Sequence, residues 1–161
     1  MDQTSKITID RITPFNPVRF IGDGWSIWRG PADGNSFDGP EQQCAASLAL
    51  TEVNVAKITL KTCLMGEETS VHGEEYLQRL KKSTHLILDA KVGQILLQNK
   101  HLIPEEWKSK SVYLMGTELR GPDGDRGVIF LFLRNRLRWD WSYMWLNDRF
   151  TPHNPAAVII D

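Results

Sequence analysis

The segment Val128-Ile-Phe-Leu-Phe-Leu133 is apolar at every position. Successive side chains of a β-strand point to opposite faces, so a strand of this composition has two faces to hide and belongs inside a sheet covered on both sides. Its neighbours complete a meander. Val112 to Leu119 precedes it across Gly121-Pro-Asp-Gly-Asp-Arg-Gly127, where Pro122 sets φ and Gly124 or Gly127 can turn left-handed. Arg134-Asn-Arg136 then turns the chain into Trp139-Asp-Trp-Ser-Tyr-Met-Trp145.

In that last stretch Trp139, Trp141, Tyr143 and Trp145 alternate, which puts four rings on one face of an extended strand. A ladder of this area is either core or an exposed platform for sugar rings, bases or a partner's side chains. The other face carries Arg138, Asp140 and Ser142, so burial is expected for at least Trp139 and Trp141. Six of the ten arginines fall in this region, and Arg134, Arg136 and Arg138 alternate as well. They would form a basic stripe opposite the tryptophans, placed for phosphate contacts, or else a hairpin edge protected by charge. Asp123, Asp125, Asp140 and Asp148 offset much of that charge. The candidate binding residues are therefore Trp141, Tyr143, Trp145, Arg134, Arg136 and Arg138.

Upstream, Ile7 to Ile12 reads as a short strand ending before Pro14. Val18 to Ile21 and Trp25 to Trp28 flank Gly22-Asp-Gly24 and suit a hairpin. Gly30 to Pro40, dense in glycine and proline, must be a loop. Ile58, Leu60, Thr62 and Leu64 alternate with Lys57, Thr59, Lys61 and Cys63 as in a half-buried strand. Gly73 to Lys82 switches to helical spacing, with Tyr76, Leu77 and Leu80 on one side, acids at its start and bases at its end. Leu86 to Leu88 is a short strand, Asp89 caps a second helix that turns Val92, Ile95 and Leu96 inward, and Pro104 opens a further helical turn. A length of 161 residues, with 41% hydrophobic and 24% charged positions, fits one globular domain over 1–161. The expected class is α+β: a mostly antiparallel sheet of roughly six to eight strands, two main helices on one side, and a C-terminal meander.

The chemistry is harder to find. A formal net charge of -1 excludes global steering toward nucleic acid, anionic membrane or acidic substrate, so any such partner must meet a local patch. Cys44 and Cys63 are too few for a disulfide scaffold or a cysteine zinc site, and a single bridge between them stays open. Asp33, Asn35 and Asp38, or Asp123 and Asp125, offer oxygens but no EF-hand pattern, since Phe37 and Cys44 occupy ligand positions. Ser70, His72 and Glu74 are helix-entry residues rather than a triad, and Gly22-Asp-Gly24 lacks the rest of a dinucleotide fingerprint. His85, His101 and His153 have no partners at metal-ligand spacing, so no metal and no cofactor is expected. Asp89, His85, Glu106 and His72 would serve a small enzyme only by converging in three dimensions. The opening MDQTSKITID has no apolar core of a signal segment, and no run is long enough for a membrane span, which points to the cytoplasm.

The segments His85-Leu-Ile-Leu-Asp-Ala-Lys-Val92, Leu102-Ile-Pro-Glu-Glu-Trp107, Gly116-Thr-Glu-Leu-Arg120 with Pro122-Asp-Gly124, Trp139-Asp-Trp141, Trp145-Leu146 and Asn154-Pro-Ala-Ala-Val158, taken in order, resemble a group of small uncharacterised bacterial proteins. The resemblance spans most of the chain and implies a bacterial, cytosolic, single-domain protein; it carries over no functional residue. The leading expectation is a non-enzymatic binding or protein-interaction module that uses the meander and the Gly30 to Pro40 loop. A protein partner or nucleic acid would be its ligand, with no membrane involved. The rival is a small enzyme.

Overall fold

The computed structural model describes residues 5–160. The reading of the chain's opening therefore rests partly on residues 1–4, which lie outside the described residues. In chain order the elements are β1 (Lys6–Thr8), α1 (Pro17–Phe20), β2 (Ser26–Ile27), α2 (Ala45–Leu48), β3 (Glu52–Asn54), β4 (Thr59–Lys61) and β5 (Val71–His72). They continue with α3 (Gly73–Lys82), β6 (Leu86–Ile87), α4 (Ala90–Gln98), β7 (Val112–Arg120), β8 (Arg126–Arg134), β9 (Arg138–Trp145), β10 (Arg149–Phe150) and β11 (Ala156–Ile159). The class is α+β, and the C-terminal meander is present.

The main sheet runs β4-β11-β7-β8-β9, with β2 added to β7 and β6 to β11. All of its pairings are antiparallel except β11 with β7. The apolar strand β8 lies between β7 and β9, as its two hydrophobic faces require. Val112 and Leu114 of β7 point into a cluster with Val92, Leu96 and Leu88, whereas Tyr113 and Met115 point into one with Tyr76, Leu77 and Leu80. A register shift between Leu114 and Leu119 reverses that parity, so Leu119 rejoins the first cluster.

The two long helices are thereby divided between the faces, α4 over one and α3 over the other, instead of sharing one side. The physical reason is that β7 and β8 are apolar at both parities, so each face needs its own cover. Each helix has the local signals expected of it. Asp89 accepts from the Lys91 N–H at 3.1 Å to cap α4, and His72 Nδ1 accepts from the Glu74 N–H at 3.4 Å at the start of α3.

The N-terminal third departs from expectation. No hairpin joins Val18 to Trp28: Pro17–Phe20 is a helical turn, with Asn16 capping it and proline in its first turn. Ser26 and Ile27 pair with Arg120 and Leu119 of β7 instead. Ile7 to Ile12 contributes only two strand residues, Ile7 and Thr8, and the alternation from Ile58 to Leu64 yields only three. Alternation marks which side chains are buried, but a ladder also needs a partner backbone.

Candidate functional site

The three arginines of the hairpin do not form a stripe. The Leu137 N–H donates to the Arg134 carbonyl at 3.0 Å, and Asn135 and Arg136 take φ of 53° and 59°. A tight turn with two left-handed residues suits the twist of the flanking strands, and it lifts Arg136 out of the alternation. Arg134 and Arg138 face each other across the ladder, on the side that carries Phe132 and Asp140. Arg134 Nε donates to Asp140 at 2.6 Å, and its guanidinium lies 5.0 Å from the centre of the Phe132 ring. That hydrogen bond holds the Asp140 carboxyl below its ordinary range.

The aromatic ladder occupies the other face and is graded. Trp139 is 7% exposed and belongs to the core, while Tyr143 is 40% exposed. Trp141 is half-buried against Phe20, with ring centres 4.5 Å apart. Trp145 is also half-buried and lies parallel to Trp25 at 5.5 Å, with Tyr143 edge-on to Trp25 at 4.7 Å. The ladder is thus neither all core nor all platform. Burial holds for Trp139 and only in part for Trp141.

Two adjoining hollows follow this face toward the hairpin turn. One, of about 260 Å³, lies between the end of α4 and β9 and is lined by Phe20, Gln94, Gln98, Lys100, Trp139 and Trp141 among others. The next, of about 370 Å³, shares Lys100 and Trp139 and adds His101, Lys108, Arg136 and Leu137. Sharing Lys100 and Trp139, they form a groove whose turn end carries Lys100, Lys108 and Arg136 against Glu105, with Asp140 also on the lining of the first hollow. Trp141 lines the first hollow and Arg136 the second. Tyr143 and Trp145 lie further along the same strand, beside Trp25, and Arg134 and Arg138 stand on the opposite face of the sheet.

Charge is concentrated at this end although the whole chain is nearly neutral. Lys108 is paired with Glu105 at 2.8 Å, and Arg134 with Asp140. Among the described residues, Lys100, Arg136 and Arg138 have no ion pair. Lys100, Lys108, Gln94 and Gln98 were not singled out from sequence, and His101 was weighed only as a metal ligand. Gln94 and Gln98, four positions apart on a helix whose one charged residue is Lys91, and followed by Lys100, were the available signal. The Gly30 to Pro40 loop is not part of the groove. Its Phe37 ring lies under the guanidinium of Arg120, 4.2 Å away, next to the start of β8 rather than its end.

The candidates for catalysis do not converge. Asp89 accepts from Arg11 Nη1 and Nη2, from the Lys91 N–H and from the Ser47 hydroxyl. That fills the acceptor capacity of a carboxylate and leaves nothing for a substrate. His72 is a cap at the start of α3, and Glu106 is exposed on the turn Glu105–Ser109. His85 lines a separate hollow of about 280 Å³ with Cys44, Lys81 and Glu118. Lys81 is held by Glu118 at 2.8 Å, and Glu118 also receives Arg126, which bridges to Glu74. Ser70 accepts from Arg149 at 2.8 Å and makes no triad with His72 and Glu74. Cys44 and Cys63 are both free thiols, and burial pushes the Cys63 thiol up from its ordinary pKa. Among the described residues no group of three or more His, Cys, Asp or Glu is placed to hold a metal ion, and no helix is long and apolar enough to cross a membrane. No family model, no curated protein and no solved structure matches the chain.

Proposed function

We propose that the protein is a binding module whose working surface is the groove at the C-terminal hairpin, and that its ligand is an extended anion with flat apolar parts. The observation that carries this reading is the meeting of Trp139 and Trp141 with Lys100 and Arg136 in adjoining hollows. The partly exposed Trp141 ring, backed by the buried Trp139, supplies contact area at low conformational cost, while unpaired cations supply attraction that falls with salt. Neither feature makes or breaks a bond. The saturated carboxylate of Asp89 argues the same way against catalysis. The two free thiols suit a cytoplasmic place of work.

Titration of the full chain with heparin, RNA, single-stranded DNA and an acidic peptide, followed by tryptophan fluorescence, tests the reading. Binding by at least one polyanion is expected, weakening steeply with salt. The Lys100→Ala/Arg136→Ala double variant should lose at least tenfold in affinity with little change in melting temperature, because Lys100 and Arg136 are exposed and unpaired. If nothing anionic binds, or if the double variant binds as tightly as the parent, the groove is not the working surface.

A further inference from the structure

Resting on that reading of the groove, we infer that its ligand is single-stranded nucleic acid. The Trp141 ring packs on Phe20 at 4.5 Å in the recess between α4 and β9. A ring in such a recess is reached by a flat group that stands free of its neighbours. Bases of a duplex are already stacked and paired, whereas those of a single strand can be splayed onto aromatic side chains. Tyr143, exposed and two positions further along β9, offers a second ring roughly 6.7 Å away along the strand. A single strand laid along β9 therefore meets successive rings.

The remaining groups have matching roles. Lys100 and Arg136, which carry no ion pair among the described residues, stand where the groove opens onto the hairpin turn and would hold phosphates. Gln94 and Gln98 line the wall beside the rings. An acidic peptide would satisfy the cations but leave the rings unused, so the charge and the rings together favour nucleic acid.

The test uses the full chain and fluorescence anisotropy with labelled oligo-dA of about 12 nucleotides, within the range of site sizes for such grooves. Parallel arms carry oligo-A RNA, an abasic DNA strand of the same length, a duplex and poly-glutamate. Oligo-dA or oligo-A should bind at least tenfold more tightly than the abasic strand, the duplex or poly-glutamate, and should quench tryptophan fluorescence. Whichever of the two single strands binds more tightly identifies RNA or DNA as the source. Trp141→Ala should weaken oligo-dA binding roughly tenfold while leaving abasic binding unchanged, and Trp141→Phe should recover most of the loss. Each cation removed at Lys100 or Arg136 should lower the slope of log affinity against log salt by about 0.7. Equal binding of abasic strand and oligo-dA would overturn this inference and leave the groove as a general polyanion site. Preference for duplex or poly-glutamate would likewise overturn it. Absence of binding in every arm would remove the groove reading itself.

Discussion

The guanidinium of Arg11 and the carboxylate of Asp89, 78 positions apart in sequence, meet in two hydrogen bonds of 2.9 and 3.0 Å. Arg11 also donates to the carbonyls of Leu50 at 2.8 Å and Ser47 at 2.6 Å, so one side chain ties the chain after β1 to α2 and to the cap of α4. The Asp89 side chain is only 1% exposed. A charge at that depth is tolerated because its hydrogen-bonding capacity is filled.

Removing one partner should therefore cost far more than the pair is worth. Asp89→Ala strands the Arg11 charge and uncaps α4, and a loss of about 3–5 kcal/mol is expected. Since a domain has about 5–15 kcal/mol in total, the variant is near the limit of folding. Asp89→Asn keeps a cap and a neutral acceptor and should lose less. Urea melts read both: a lower midpoint with an unchanged slope is expected, and an Asp89→Ala midpoint equal to the parent's would refute the structural role.

The graded ladder predicts graded stability. Trp139→Ala should destabilise by about 3–5 kcal/mol, as for a core aromatic truncated to alanine. Trp141→Ala gives up its contact with Phe20 but little closed volume, and should cost only about 1–3 kcal/mol and remain folded. Thermal melts of the two variants side by side decide the matter. Equal losses would mean that Trp141 is as deeply packed as Trp139.

Gly116 sits where β7 passes the junction of β6 and α4, and its N–H donates to the Leu88 carbonyl at 2.9 Å. A Cβ there would lie 2.7 Å from the carbonyl carbon and oxygen of Leu88, and the Ile87 carbonyl oxygen also blocks it. These are backbone atoms and cannot swing aside. Gly116→Ala should cost at least about 1–3 kcal/mol and slow hydrogen exchange less at the β6 amides than in the parent. A variant with parental stability would show that this approach is looser than described.

Glu68 is a pH-sensitive tie. Its carboxylate accepts from Arg79 Nη1 at 2.7 Å and Nη2 at 3.0 Å, and from the Met65 N–H at 2.7 Å. The hydrogen bond from Arg79, more than any other cause, brings its pKa from an ordinary 4.5 down to about 2. Because the folded value lies below the unfolded one, the stabilisation is complete above about pH 4.5 and is lost as pH falls toward 2. Melting temperatures from pH 6 to 2 should show a smaller acid-dependent fall in Glu68→Gln than in the parent, the difference being modest at this surface position. Parallel curves would mean that Glu68 titrates normally.

Much of the local structure was legible in residue order. Gly73–Lys82 is the helix its spacing and charge order call for, Asp89 is the cap, and the apolar run Val128 to Leu133 lies in the central strand β8. These features rest on interactions within a turn or two, or on the hydrophobicity of one segment, and such interactions repeat with a fixed period. Even there, two local signals can compete. Around Val18 the apolar spacing suggested a strand, but Asn16-Pro17 starts a helical turn, and around Arg136 the alternation of arginines yielded to the turn taken by Asn135 and Arg136.

What tertiary structure decided is which surface each segment meets. Residue order assigned Trp139 and Trp141 to one face of β9, while the packing of Phe20 and of the end of α4 against that face made Trp139 core and left Trp141 at the margin of a groove. The division of α3 and α4 between the two faces, the Arg11–Asp89 pair and the meeting of Lys100 with Arg136 have the same origin. Each joins segments tens of residues apart, and no periodic pattern records such a pairing. The chain closes these long loops because burial of both faces of β7 and β8 outweighs the entropy of closure.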